Sequence, residues 1–297
     1  MDDKLKTAIE EMLEKITAEK ITVRPGISIS GGCINNAMSI QTSLGDTLFL
    51  KFNPKSPAGM FKAEADGLAE LGKCDSLLIP KVMAYSDAGS EITPFILMEY
   101  IVSGQKTKSF WEDFGRGFAA VHRITEKRFG FGEDNFIGSS PQVNGWMDNW
   151  VDFYREKRLG QQIELAKKNN LWSTGPEKLW NILSAKLEEL IGEPEEPASL
   201  LHGDLWSGNY IVGPRGEAGL IDPAVYYGNR EADLAMTELF GGFDSRFYDA
   251  YRESYLLAPG YPDRVDIYKL YHLINHLNLF GKSYESQVTS ILETYAG

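Results

Sequence analysis

The sequence predicts an α+β protein of two lobes. Residues 1–101 form a small antiparallel-sheet lobe with one key helix, and residues 102–297 a mostly helical lobe. Three observations predict it. Short β-branched and aromatic runs separated by turn residues fill the first hundred positions. Helical periodicity dominates from Ser109 onward. That helical stretch is broken once, by a short hairpin near residues 210–221. A chain of 297 residues, 43% hydrophobic and 24% charged, is long enough to bury ordinary cores.

The elements follow in order. An amphipathic helix over 4–16 turns its acidic residues outward. Strands are predicted over 21–29, 37–42 and 47–52, the last two joined by Ser43-Leu44-Gly45-Asp46. A helix over 58–71 interrupts them, and strands resume over 81–85 and 94–100. Val102-Ser103-Gly104 is the expected hinge between lobes, where a ligand cleft is expected. No internal repeat or low-complexity segment occurs.

Charge and cysteine content exclude several classes. A net charge of −12 argues against nucleic acid or an anionic membrane as partner, because both require a basic surface. Two cysteines, Cys33 and Cys74, form no disulfide framework. The acidic start Met1-Asp2-Asp3-Lys4 is unlike a signal peptide. No apolar run approaches the ~18 residues of a membrane span; Phe95-Ile96-Leu97-Met98 is stopped by Glu99. A cytoplasmic location is expected.

The chemistry concentrates in His202-Gly203-Asp204-Leu205-Trp206-Ser207-Gly208-Asn209 and Ile221-Asp222-Pro223. An Asp five residues before an Asn matches the H-x-D-x-x-x-x-N catalytic loop of kinases, where the Asp accepts the substrate hydroxyl proton and the Asn binds metal. Asp222 follows Asp204 by 18 residues, where a kinase-like chain presents its main magnesium ligand. Tyr210-Ile211-Val212 and Ala218-Gly219-Leu220-Ile221, separated by Gly213-Pro214-Arg215-Gly216-Glu217, pair as a hairpin whose ends bring Asn209 and Asp222 together. Two oxygen donors suit Mg2+, which completes its shell with phosphates and water. A hairpin with merely polar ends is the plainer alternative, and Asp204 as third spaced partner argues against it.

Lys51 lies in the apolar run Leu48-Phe49-Leu50-Lys51-Phe52, where its charge needs a partner. On the helix over 58–71, Phe61, Ala65, Leu68 and Gly72 share a face, and Glu64 sits at its margin. A Lys51–Glu64 pair holding the phosphates of ATP is the functional expectation. A structural salt bridge or a snorkelling Lys remains open. The turn containing Gly31, Gly32, Cys33 and Asn35 offers backbone N–H groups to phosphate, although alone it resembles a plain hairpin turn. Met98-Glu99-Tyr100-Ile101 would present Glu99 and Ile101 backbone groups to the adenine edge, or form an ordinary strand exit. Cys33 is either an oxidisable thiol that crosslinks two chains or a small filler.

Trp206, beside Asp204, is the candidate aromatic wall for a sugar; the alternative is a Trp that braces the loop. Asp134, Trp146 and Asp148 lie in a polar stretch that would fold over the sugar, yet Trp146 and Trp150, four apart, equally suit a core. His202 braces the loop, and Glu231 and Asp233 open a helix, with Asp233 also available to tie down the catalytic loop. His272 and His276 have helical spacing but no third ligand nearby, so packing is expected of them.

HGDLWSGN, with its Trp206, together with Phe129-Gly130-Phe131, Pro141-Gln142-Val143-Asn144-Gly145-Trp146 and Leu239-Phe240-Gly241-Gly242-Phe243, closely resembles the fructosamine-kinase (ketosamine-3-kinase) family. The resemblance runs from Gly31-Gly32-Cys33-Ile34-Asn35 to Asn275-His276-Leu277-Asn278. It implies a protein-kinase-like, aminoglycoside-phosphotransferase-like fold and ATP-dependent phosphorylation of the sugar 3-hydroxyl of ketoamines. The substrates implied are fructosamine, ribulosamine or erythrulosamine adducts, free or on protein lysines. Release of the amine from the unstable product would be deglycation, a protein-repair activity. The resemblance also implies redox sensitivity at the phosphate-loop cysteine, hence a monomer or a redox-dependent homodimer. Asp222-Pro223-Ala224 replaces the D-F-G of protein kinases, so an activation-loop switch is not expected. A kinase of this fold acting on an aminoglycoside, choline or a hydroxy amino acid is the alternative.

Overall fold

Alternation along one strand sets the plan of the first unit: Leu48 and Leu50 face one layer, Phe49 and Lys51 the other. The computed structural model describes residues 1–29, 35–89 and 91–297, and divides into two compact units. One comprises residues 1–110 with 210–223, the other 111–209 with 224–297.

The first unit contains α1 (Asp3–Thr17), β1 (Val23–Ile29), β2 (Asn36–Thr42), β3 (Thr47–Phe52), α2 (Met60–Leu71), β4 (Val82–Ser86) and β5 (Phe95–Glu99). The five strands pair antiparallel in the order β1-β2-β3-β5-β4. Asp2 starts α1 by accepting the Leu5 N–H at 2.8 Å. Leu5, Ile9 and Leu13, at helical spacing, bury against Leu48, Leu50 and Leu97 on one sheet face. Phe61, Ala65 and Leu68 of α2 cover Ile96, Met98 and Phe49 on the other. Each fully buried large apolar side chain contributes roughly 2 kcal/mol. α2 has no side-chain cap of its own; Asp87 accepts the Phe61 and Lys62 N–H groups, each at 3.1 Å. Gly31, Gly32 and Cys33 lie outside the described residues.

The chain continues through α3 (Phe110–Val121), β6 (Thr125–Glu126), β7 (Asn135–Ile137) and β8 (Ser140–Gln142). Next come α4 (Trp150–Phe153), a π-helical segment (Tyr154–Gly160), α5 (Gln161–Lys168), α6 (Thr174–Ile191) and β9 (Ala198–Leu201). The hairpin β10 (Tyr210–Val212) and β11 (Ala218–Leu220) precedes β12 (Tyr226–Gly228), α7 (Arg230–Glu238), α8 (Ser245–Ser254), α9 (Tyr261–Phe280) and α10 (Glu285–Ala296). In the second unit, α9 buries Ile267, Tyr268, Leu270, Tyr271, Leu273 and Ile274, so it is a core helix. The buried strand β9 sits between β12 and β6 and delivers the chain to His202. Among the described residues, no helix is long and apolar enough to cross a membrane.

The division by packing differs from a linear boundary at 101/102. The β10–β11 hairpin joins the first unit, where the Leu78 N–H donates to the Ala218 carbonyl at 3.0 Å and the Leu220 N–H to the Leu78 carbonyl at 2.9 Å. Val102-Ser103-Gly104, expected as a hinge, instead runs along that hairpin. The Gly104 N–H donates to the Val212 carbonyl at 3.0 Å. A Cβ on Gly104 would lie 2.1 Å from the Gly213 carbonyl oxygen, an approach open only to glycine.

Candidate active site

In the first unit, β3 and α2 bring a cation and an anion together, and the end of the hairpin adds a second anion. Lys51 Nζ lies 2.7 Å from Glu64 Oε1 and 2.5 Å from Asp222 Oδ1. Lys51 is buried because its strand position faces α2, and Glu64 reaches it from the margin of the helix face that packs there. Burial works against the Lys51 ammonium, but Asp222 and Glu64 outweigh it and raise its pKa, so the side chain stays charged. Burial pushes the Glu64 carboxyl upward against the pull of Lys51, and Asp222 pushes it the same way. Two carboxylates on one ammonium leave an unbalanced negative charge, which a divalent cation would offset. Asp222 is held at φ +55°, a left-handed conformation that Asp tolerates better than most residues. Its side chain is 41% exposed.

In the second unit, the loop after β9 is tied from below by a buried carboxylate. Asp233 Oδ2 accepts the His202 N–H at 2.6 Å, and Oδ1 accepts the Gly203 N–H at 2.9 Å. His122 Nε2 lies 3.2 Å from Asp233 Oδ2, and its Nδ1 lies 2.6 Å from the Tyr251 hydroxyl. Burial pushes the Asp233 carboxyl up, but the hydrogen bonds from His122 and the Gly203 N–H hold it below its ordinary value. Burial lowers His122, so it supports Asp233 as a neutral donor through Nε2–H. Gly203 adopts φ +81°, and a Cβ there would fall 2.0 Å from the Ala224 carbonyl oxygen. Only glycine fits that corner.

Asp204 follows, half-buried, with its N–H donated to His202 Nδ1 at 3.2 Å. Asn209 Nδ2 donates to the Asp204 carbonyl at 2.8 Å and to its Oδ2 at 3.2 Å. Those bonds turn the Asn209 amide oxygen away from Asp204. Trp206 is half-buried, its ring meeting Phe240 edge-on at 6.1 Å, with Gly208 packed against its six-membered ring.

The remaining candidates lie elsewhere on the two units. Asn35 Oδ1 accepts from Asn53 Nδ2 at 3.1 Å, linking the adjoining ends of β2 and β3. Glu99 ends β5 with an exposed side chain, its N–H bound to the Lys81 carbonyl at 2.8 Å; Ile101 follows, half-buried. Asp134 spends its Oδ1 on the Asn144 N–H at 2.7 Å, closing the turn around β7 and β8. The Trp146 ring lies 6.1 Å from Tyr227, while Trp150 is fully buried in the core. Among the described residues, no group of three or more His, Cys, Asp and Glu could hold a metal ion. His272 and His276 are joined within α9, where His276 Nδ1 donates to the His272 carbonyl at 2.8 Å.

Sequence reasoning missed His122, the buried Arg158 and Arg230. Arg158 sits in the π-helical segment with its guanidinium 3.8 Å from the Tyr226 ring centroid, bound to Asn144 Oδ1 at 2.7 Å. Gln142 Nε2 bridges Asn135 Oδ1 at 2.7 Å and the Ala224 carbonyl at 2.9 Å, so a polar network underlies β7, β8 and β12. Arg230 is clamped by both Glu196 oxygens at 2.7 and 2.9 Å. A lone His or Arg inside a helical run gives no local signal of such partners.

An antiparallel sheet carrying a buried Lys–Glu pair, with a helical unit carrying an H-G-D loop and its Asn, defines a phosphotransferase of the protein-kinase-like fold. The fold is shared with a solved aminoglycoside phosphotransferase, at a TM-score of 0.66, 14% identity and coverage of 98% of this chain and 99% of that one. The chain belongs to the fructosamine kinase family, whose model matches residues 5–296, and it is therefore a kinase that phosphorylates an alcohol group. It is 36% identical to a Synechocystis protein assigned as a ketoamine kinase, over 96% of this chain and 95% of that one. It is 39% identical to the chloroplastic protein-ribulosamine 3-kinase of Arabidopsis thaliana, over 90% of this chain and 81% of that one. A solved structure from Haemophilus somnus, assigned as a fructosamine-3-kinase, superposes with a TM-score of 0.87 at 28% identity, covering 98% of both chains.

Proposed function

We propose that this kinase transfers the γ-phosphoryl of ATP to the sugar 3-hydroxyl of ketoamines, fructosamine, ribulosamine or erythrulosamine adducts, and so starts their deglycation. The observation that carries the proposal is the Asp204 loop. Asp233 below and Asn209 beside it hold one carboxylate in place, next to a half-buried Trp206 whose flat face suits the C–H face of a sugar.

Asp204 would orient the acceptor hydroxyl and take its proton as the oxygen attacks in line. Lys51, steadied by Glu64, would bind the phosphates and offset the charge that builds on them. Gly31, Gly32 and Asn35 would add donors to the phosphates, and the Glu99 and Ile101 backbone would receive the adenine. Asp222 and Asn209 are the residues that would hold Mg2+. The donor set fits, because both side chains offer the hard oxygens that Mg2+ prefers. Held there, the ion would supply positive charge to offset the negative charge of the phosphates. Asp134 and Trp146 would shape the far side of the sugar site. A cytoplasmic monomer completes the proposal, with Cys33 as the thiol through which two chains crosslink on oxidation. A non-reducing gel with and without peroxide, with Cys33→Ser as blank, tests that thiol.

The substrate is tested with ATP and a panel of ribulose-, erythrulose- and fructose-amine adducts, free and on protein lysines, with an aminoglycoside, choline and serine as controls. Turnover confined to the ketoamines supports the proposal. Turnover confined to a control alcohol discards ketoamines and keeps the fold and family.

A further inference from the structure

His272 lies on the core helix α9 and is 3% exposed. Its Nδ1 is buried and has no hydrogen-bond partner among the described residues, and it points toward Asp204 Oδ1 at 4.0 Å. A buried polar nitrogen left without a partner costs about 1–3 kcal/mol, so an unpaired one beside the Asp204 carboxylate calls for a reason. Metal binding is not that reason. The other imidazole of the pair, His276, spends Nδ1 on the His272 carbonyl, and its ring packs on Phe240 with centroids 4.8 Å apart. The far side of the Asp204 carboxylate is already held, because Oδ2 accepts from Asn209. Oδ1 faces His272.

We propose that His272 is a positioning residue for this reaction: its Nδ1–H donates to Asp204 Oδ1 in the reacting complex and fixes the carboxylate against the acceptor hydroxyl. This rests on Asp204 being the base. Closing the gap takes a shift of about 1 Å, the kind of tightening that catalytic hydrogen bonds undergo when substrate binds. Burial, with His276 close by, depresses the His272 pKa to about 3, so the ring is neutral in the working range. A neutral donor orients the carboxylate without cancelling the charge that makes it a base. A Lys or Arg at that position would form a full ion pair and weaken it.

The test compares three variants of the full chain on its best ketoamine. In His272→Leu, kcat falls on the order of 10- to 100-fold, the worth of one hydrogen bond to a charged group, while KM for ATP is unchanged. His272→Asn, whose amide N–H takes the place of Nδ1–H, recovers most of the loss. His272→Gln, whose amide reaches the Nε2 position, does not. Wild-type kcat in His272→Leu overturns the proposal, and so do equal rates in the Asn and Gln variants. If His272→Leu fails to fold, the Asn and Gln pair decides alone. Asp204→Ala runs alongside: if it turns over, Asp204 is not the base and both assignments fall. If it is inactive while His272→Leu is normal, only the role of His272 is refuted.

Discussion

Replacing Asp233 by alanine should unsettle the catalytic loop from beneath without touching a residue that meets substrate. The carboxylate is 1% exposed and accepts the His202 N–H at 2.6 Å, the Gly203 N–H at 2.9 Å and His122 Nε2 at 3.2 Å. Hydrogen bonds to a charged acceptor are worth about 1.5–3 kcal/mol each. Three that share one acceptor are not additive, so the expected loss is about 4–6 kcal/mol. For a chain of this size that lowers Tm by roughly 10 °C or more. Asp233→Asn is the sharper probe, since it preserves shape and one acceptor oxygen but turns an N–H against a donor. It should lose about half as much stability as alanine and still lower kcat at least tenfold, because His202 and Gly203 lead directly into Asp204. Urea unfolding and single-substrate kinetics on the folded protein measure both. An Asp233→Ala protein with unchanged unfolding midpoint and unchanged kcat would refute the anchoring role.

Three further outcomes follow from the same contacts. Lys51→Met leaves Glu64 and Asp222 facing each other in a partly buried site, so ATP affinity should fall by at least tenfold and stability by about 3 kcal/mol; isothermal titration with ATP that shows wild-type affinity contradicts this. Gly203→Ala must place a Cβ 2.0 Å from the Ala224 carbonyl oxygen at φ +81°, and should cost about 3 kcal/mol or more, visible as a fallen Tm or poor soluble yield. The pH dependence has a definite sign. The folded chain resists protonating His272 until about pH 3, whereas the unfolded chain takes that proton near 6.5. Its contribution is complete above pH 6.5 and lost as pH falls toward 3, at about 1.4 kcal/mol per unit. Unfolding free energies from urea titrations at pH 7.5 and 5 should differ by about 2 kcal/mol from this group, with a weaker pH dependence in His272→Leu; identical pH dependences contradict the assignment.

Local pattern revealed most of the first unit. The cost of an unpaired Lys51 inside an apolar run and the helical spacing that put Glu64 at the margin of its helix face together suggested their pairing. The β10–β11 hairpin was legible from its Gly-Pro turn, whereas its packing with Leu78 and Gly104 was not, because a backbone contact made through missing Cβ atoms has no side-chain signature. The pairing of Asp222 with Lys51 spans 171 residues and was likewise hidden. The Asp204 loop was the most legible part of the candidate site, since its residues sit within eight consecutive positions. Its supports were legible in part: the sequence offered Asp233 as a tie for the loop but gave no sign of His122. His122 follows the end of α3 and Asp233 lies in α7, 111 residues apart, and nothing near either residue announces the other. The helical spacing of His272 and His276 suggested packing and hydrogen bonding, and only coordinates reveal the His272 Nδ1 turned toward Asp204.

The central claim is phosphorylation of a ketoamine with Asp204 as the base. Its most direct test is mass spectrometry over time on one purified ribulosamine adduct with Mg2+ and ATP. The adduct should gain one phosphoryl group and then decay to the free amine, while Asp204→Ala produces neither species. An adduct that stays unmodified while ATP is consumed on another alcohol, or one phosphorylated at the wild-type rate by Asp204→Ala, would contradict it.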